Sequence, residues 1–252
     1  MHTAVTESHP IVGETLSASP KPNAEIKNCV NGTVHGRHGL FSRIIDSYDS
    51  LLVRLYCKAR FTIININILH ILALCLRGKT KVLDVGCGFG LFGCYFCALN
   101  PEISYSGYDM NPHRIEMAQK TAEKLGLKNA KFYCRDVREL SLNENYDAIM
   151  MLDVMHHIDD SSKRTLIHTC TEHLTQDGRL IIKDVNTRPL FKIAFTWALD
   201  VVMTRGFEMW YWGETRFHQL LAEHFNRVDT FPISDWLPYP HIVYLCEKTL
   251  ST

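Results

Sequence analysis

Short apolar runs alternate with stretches of helical period from residue 81 to residue 185, and no other feature of the chain restricts its fold so tightly. The runs are Lys81–Val85, 104–108, Ala130–Cys134, Tyr146–Leu152 and 178–185. Between them, Asn111 and Pro112 supply an N-cap and a first-turn proline. Ile115, Ala118, Ala122 and Leu125 then share one helical face, and Gly126 stops the helix. Another helix is expected over 159–174, with Leu166, Ile167, Cys170 and Leu174 inward. Tyr146–Leu152 is wholly apolar after Asp147, as a strand covered on both faces should be. Such alternation implies an α/β fold, a parallel sheet with helices on both sides. Two further strands are expected at 227–231 and 242–246.

Ahead of this core, residues 1–40 mix Ser, Thr, Pro, Gly, Asn and His without a sustained period and read as a flexible tail. Apolar density rises over 41–80, where Ile44, Ile45, Leu51, Leu52 and Leu55 fit one helical face. Residues 64–68 alternate like a strand, yet Ile64, Ile68, Leu72 and Cys75 form a helical stripe, and length favours helix. Arg77, Gly78 and Lys79 close that segment. Residues 189–225 read as helical and rich in aromatics, among them Phe191, Trp197, Trp210, Tyr211 and Trp212.

Composition narrows the function. Lys plus Arg and Asp plus Glu both number 27, so the formal net charge is zero, without the electrostatic footprint of a nucleic-acid binder. The longest uncharged run, 61–76, has 16 residues and contains Asn65, Asn67 and His70, short of the roughly 20 that a spanning helix needs. The N-terminus has no basic region leading into an apolar run, so no signal peptide is expected. Of nine cysteines, only Cys94 and Cys97 have CxxC spacing, within an apolar helical stretch, and no metal site is expected. Buried, reduced thiols and a cytoplasmic protein, at most touching a membrane surface, are the expectation.

The functional signal lies in 81–93, KVLDVGCGFGLFG, where a strand ends in closely spaced glycines and opens a helix. Such a bend lets a ligand approach the backbone and a helix N-terminus. Gly88, Gly90 and Gly93 match GxGxxG, which admits a nicotinamide-dependent oxidoreductase. Phase argues against it: counted from the glycine at the strand end, Gly86, the third glycine would fall at Leu91. That reading also has no use for Asp84, whose carboxylate an ammonium-bearing ligand would satisfy.

The segment DVGCGFG resembles motif I of the class I S-adenosylmethionine-dependent methyltransferases, an acid, a spacer and GxGxG. Gly107-Tyr108-Asp109 is similar to their acid at the end of strand 2, and Cys134-Arg135-Asp136-Val137 to the acid after strand 3. Tyr146 to Asp159 resembles their strand-4 motif and Leu174 to Val185 their strand 5. The resemblance implies a Rossmann-like, seven-stranded, mostly parallel sheet with its last strand antiparallel. Residues 41–80 would then be an N-terminal helical cap, 81–252 the cofactor-binding domain, and 189–225 an acceptor-covering insertion. It implies S-adenosylmethionine as cofactor. Asp84, Gly86, Cys87 and Gly88 would surround its methionyl end, with Gly86 and Gly88 leaving room for it. Asp109 would bind the ribose hydroxyls, Asp136 and Val137 would meet the adenine, and Met110, Leu152 and Asp153 would be further cofactor-binding residues. The apolar 61–76 segment would close the cofactor site from the other side.

Methyl transfer is an in-line displacement, and a base is needed only where the acceptor must lose a proton. Candidate bases gather where strands 4 and 5 end: Asp153, His156, His157, Lys183, Asp184 and Arg188, with His241 near the last strand. His156 is the better base candidate, and His157 matches a structural histidine of the family. Lys183 and Asp184 read either as an ion pair shaping the pocket or as part of the catalytic set. The aromatics after strand 5 suit a small, apolar acceptor, lipid- or polyketide-like, or else pack a helix onto the sheet. A non-catalytic module keeping this fold is the remaining alternative, and intact acids at 84, 109 and 136 argue against it.

Overall fold

Seven strands form one sheet: β1 (Lys81–Val85), β2 (Ser104–Asp109), β3 (Ala130–Cys134), β4 (Tyr146–Leu152), β5 (Leu174–Val185), β6 (Arg227–Ile233) and β7 (His241–Glu247). In this computed structural model residues 34–187, 210–233 and 240–248 are described, with side chains from residue 39. The strand order is β3-β2-β1-β4-β5-β7-β6, and β7 runs antiparallel to both β5 and β6 while the other pairs are parallel. The order reverses at β1, so its carboxyl end and that of β4 flank the crevice where such sheets take ligands.

Two apolar layers cover the sheet. Val82, Ala148, Met150, Leu152, Ile181 and Val243 point into one, together with α1 (Val34–Asp46), α2 (Leu51–Ile63), α3 (Ile66–Cys75), α4 (Leu91–Leu99) and α5 (Pro112–Leu125). Leu83, Val85, Ile149, Met151, Leu180 and Ile182 point into the other, with α6 (Asp160–Glu172) and α7 (Glu214–Ala222). This is the period-two alternation of strands buried on both faces. The capping chemistry is as expected: Asn111 Oδ1 accepts from the backbone of His113 and Arg114, and Gly126 takes the left-handed conformation at the end of α5. Cys94 is fully buried, and burial pushes the neighbouring Cys97 thiol up to about 12.

Three boundaries differ from expectation. α1 starts at Val34, inside the stretch read as tail; residues 1–33 lie outside the described residues. The apolar 61–76 run is not one helix. α2 ends at Ile63 and Asn65 caps α3, its side chain accepting from the backbone of Asn67 and Ile68, so the two helices meet at 77°. A side-chain cap satisfies the donors that a continuous helix would satisfy internally, which is why the chain breaks there. β5 begins at Leu174, four residues earlier than expected. Arg188, Phe191 and Trp197 lie outside the described residues, as does most of the expected 189–225 insertion.

Candidate active site

The glycine bend is fixed from both sides. The backbone N–H groups of Gly86 and Cys87 both donate to the carbonyl of Tyr108 on β2, at 2.7 and 2.9 Å. Gly86 has φ +81, and a Cβ there would lie 2.0 Å from Val154 Cγ2. Its smallness therefore serves packing against the β4 tip, and the residue also lines the cleft. A Cβ on Gly88, at φ +57, would meet no described atom within 4 Å, and the residue lines the cleft.

Two carboxylates stand over the bend. Asp84 is buried at the carboxyl half of β1, and Tyr105 donates to its Oδ2 at 2.5 Å. Among the described residues its Oδ1 has no hydrogen-bond partner. Burial pushes the Asp84 carboxyl up to about 7, the Tyr105 bond opposing and the Asp109 charge adding. Asp109, at the end of β2, accepts from the backbone of Gly88 at 3.0 Å and of Asn111 at 2.9 Å, one on each oxygen. A carboxylate has about four acceptor positions, so both oxygens can take hydroxyl donors as well. An orphaned buried carboxylate oxygen beside a left-handed glycine, with a second carboxylate next to it, suits the ammonium and ribose of S-adenosylmethionine.

The cleft containing these groups is also walled by Tyr56, Arg60 and Ile63 of α2, by Phe89 and Phe92, and by the β4 tip. The cap is thus α2, and the 61–76 segment contributes Ile63 alone; α3 packs on β5 instead. Tyr56, Arg60 and Ile63 were missed in the sequence, although their spacing of four and three marks one helical stripe. Two contacts tie this N-terminal region to the rim of the cleft: Tyr48, ahead of α2, donates its hydroxyl to the Phe89 carbonyl of the bend at 2.9 Å, and Arg60 Nη1 of α2 lies 2.8 Å from Asp153 Oδ2 at the β4 tip. Arg114 of α5, also unforeseen, lies over the Phe89 ring at 5.6 Å.

Asp153 and Asp184 organise the tips of β4 and β5. Asp153 is in the left-handed region, φ 57, just past β4, and its carboxylate is shared by Arg60 and the fully buried Lys183. Burial would raise its pKa, but Lys183 and Arg60 hold it well below the usual carboxylate range. Asp184 turns to the other face of β5. Its Oδ2 accepts from the His156 backbone at 3.1 Å, and its Oδ1 pairs with His156 Nδ1. Lys183 and Asp184 are therefore not an ion pair with each other, because successive strand residues point to opposite faces.

The His156 ring stacks on Tyr211, with centroids 5.4 Å apart at 14°, and lies 4.0 Å from the His157 ring. Burial and the neighbouring His156 lower the His157 pKa to about 4. Trp212 is buried, donating Nε1 to Asp160 at 2.6 Å, and the Trp210 carbonyl accepts from buried Lys163 at 2.6 Å. Packing thus accounts for Trp212, whereas the bond at Trp210 involves only its backbone.

Asp84, Gly86, Cys87, Gly88, Asp109, Leu152, Asp153, His156 and His157 line the cleft together, and Asp184 lies just behind His156. Met110, Asp136 and Val137 do not line it. Met110 is exposed, Val137 packs against the second apolar layer, and Arg138 holds the Asp136 carboxylate at 2.6 Å. His241 is buried next to Lys183, and burial drives its pKa to about 2. Among the described residues no group of His, Cys, Asp and Glu could hold a metal ion.

The family model described as a methyltransferase domain matches residues 76–224. A malonyl-[acyl-carrier protein] O-methyltransferase of Acetivibrio thermocellus is 30% identical over 110 residues, 44% of this chain and 36% of that protein. A ubiquinone biosynthesis O-methyltransferase of Coxiella burnetii is 30% identical over 112 residues, 44% of this chain and 45% of that protein. The ribosomal RNA small subunit methyltransferase C of Vibrio parahaemolyticus is 29% identical over 137 residues, 52% and 40% respectively. The chain spans less than half the length of these curated relatives. Among solved structures, the S-adenosylmethionine-dependent methyltransferase SibL aligns with a TM-score of 0.61 at 18% identity, covering 90% of this chain and 70% of its own. The N-methyltransferase NodS of Bradyrhizobium japonicum, in complex with S-adenosyl-L-homocysteine, aligns at 0.55 and 18%, covering 71% and 83%. Both share its fold.

Proposed function

We infer the chemistry from the family: this chain belongs to the class I S-adenosylmethionine-dependent methyltransferases, and we propose that it methylates a small, largely apolar acceptor. When bound, the cofactor supplies a methyl group activated on a sulfonium. Asp84 Oδ1 would hold its ammonium, the Asp109 carboxylate its ribose hydroxyls, and the open side of Gly88 the approach between them. Asp136 and Val137 are assigned to the adenine from the resemblance alone. Ile63, Phe89, Phe92, Leu152 and Val185 favour an apolar acceptor, and the zero net charge favours a small molecule over nucleic acid.

One observation carries the base assignment: the His156 ring lines the cleft while its Nδ1 is engaged by Asp184 behind it. With Asp184 on Nδ1, the ring would carry its proton there and Nε2 would be the more basic nitrogen. An acceptor hydroxyl is the group such a base would serve, and the relative named a ubiquinone biosynthesis O-methyltransferase supports that choice. His157, held neutral, would pack beside it. A cytoplasmic setting is supported by the buried free cysteines, and peripheral membrane contact by the exposed Leu51, Leu52 and Leu55 on α2.

Thermal shift tests the cofactor: stabilisation by S-adenosylhomocysteine supports the proposal, by NADH the oxidoreductase, and by neither a binding module. Mass spectrometry of co-purified ligand supplies the acceptor. With it, His156→Gln and Asp184→Asn should lower transfer about 10²–10⁴-fold at unchanged S-adenosylhomocysteine affinity. Transfer at the parental rate in both variants removes the base.

A further inference from the structure

β1 and β2 pair in parallel register, Val82 opposite Tyr105 and Asp84 opposite Gly107. The Tyr105 ring is buried between the sheet and α4. A Cβ on Gly93 would lie 2.4 Å from its Cζ, and Phe132 packs on it with centroids 5.6 Å apart. A ring so confined has one place to put its hydroxyl, and that place is Asp84 Oδ2. With one oxygen clamped, the carboxylate cannot turn, and the oxygen without a partner is held in a group that lines the cleft.

We infer that Tyr105 is a positioning residue for the cofactor: by fixing one oxygen of Asp84 it presents the other to the ammonium of the methionyl end. The inference rests on the assignment of Asp84 to that ammonium. The titratable groups facing Asp84 are Tyr105 and Asp109 of β2 and Cys87 of the bend. Of these, only the Tyr105 hydroxyl favours the ionised carboxylate, since Asp109 and burial oppose it. Burial holds the Tyr105 phenol well above its ordinary pKa, so it remains a donor at neutral pH. Loss of the hydroxyl should therefore both loosen the carboxylate and raise the pH at which it ionises.

Titration calorimetry of wild type and Tyr105→Phe, which keeps the ring, tests this with two ligands. S-Adenosylhomocysteine carries the ammonium, and methylthioadenosine shares the adenosyl thioether without it. Wild-type affinity for S-adenosylhomocysteine should rise as pH passes through about 7, where Asp84 ionises. Tyr105→Phe should weaken it about tenfold at neutral pH and move the rise to higher pH. Methylthioadenosine affinity should stay within about twofold, because that ligand does not touch Asp84. Equal weakening of both ligands, or an unmoved pH curve, would overturn the inference. Wild type that binds neither ligand would overturn the cofactor assignment itself, a result distinct from any behaviour of the variant. Should Tyr105→Phe melt early, Asp84→Asn replaces it: the pH rise should vanish for S-adenosylhomocysteine while methylthioadenosine still binds, and a persisting rise would defeat the inference.

Discussion

Arg60 reaches from α2 to within 2.8 Å of Asp153 at the tip of β4, and Lys183 takes the other oxygen of the same carboxylate. One buried anion thus joins the cap helix to the sheet. Lys183 is fully buried and Arg60 is not, so the two cations depend on Asp153 to different degrees.

Removing the anion should therefore cost more than removing the outer cation. Asp153→Asn, which tolerates the left-handed backbone, strands Lys183 and should cost about 3–5 kcal/mol. Arg60→Ala leaves the Asp153–Lys183 pair intact and should cost about 1–2 kcal/mol. Urea denaturation of the two variants measures the difference, and equal losses would mean that Lys183 does not rely on Asp153.

Stability should fall with acid in a window that His157 helps to define. Its folded pKa, about 4, lies below its unfolded value, so the neutral ring contributes stability that is complete above about 6.5. That contribution is lost as pH drops from there towards 4. His241, depressed to about 2, extends the loss further. The urea midpoint of His157→Gln should change less between those two pH values than the wild-type midpoint. An identical slope would remove His157 as a source.

The two neighbouring glycines should fail differently. Gly86→Ala forces a Cβ to within 2.0 Å of Val154 at φ +81, and should cost about 2–5 kcal/mol from strain and overpacking together. Val154→Ala should recover part of that loss. Gly88→Ala meets no protein atom within 4 Å and should cost only about 1 kcal/mol in melting, while weakening S-adenosylhomocysteine sharply. Melts and titrations of both variants would show this crossing pattern, or its absence.

Asp109→Ala should leave the sheet standing and reduce S-adenosylhomocysteine affinity at least about a hundredfold. Two hydroxyl bonds to a carboxylate are lost, each contributing roughly 1.5–3 kcal/mol. Unchanged affinity would take Asp109 out of the ribose site.

Much of this was legible along the chain. The strands could be read because each is an apolar run between turn residues, and Asn111 and Gly126 mark their helix ends by capping chemistry that acts locally. Asp84 could be singled out because a buried carboxylate beside a glycine bend needs donors close by, and Asp109 only through the resemblance to the family's strand-2 acid. Arg60 could not. Its helix carries Arg54 and Lys58 as well, and nothing local says which cation faces the cleft. Asn65 was hidden by the apolar residues on either side, which fit a helix through it as well as a break at it. Adjacency suggested that Lys183 and Asp184 pair, whereas strand geometry parts them. Tyr105 looked like any strand aromatic until its hydroxyl was seen against Asp84.

That parting on β5 has a mechanical result. Lys183 anchors the roof and Asp184 orients the histidine, and a single peptide step of about 3.3 Å separates the two duties. No joint lies between them, so a disturbance that lifts one drags the other. Displacement of α2 and misalignment of the His156 ring should consequently occur as one event, and a state with one but not the other should be rare.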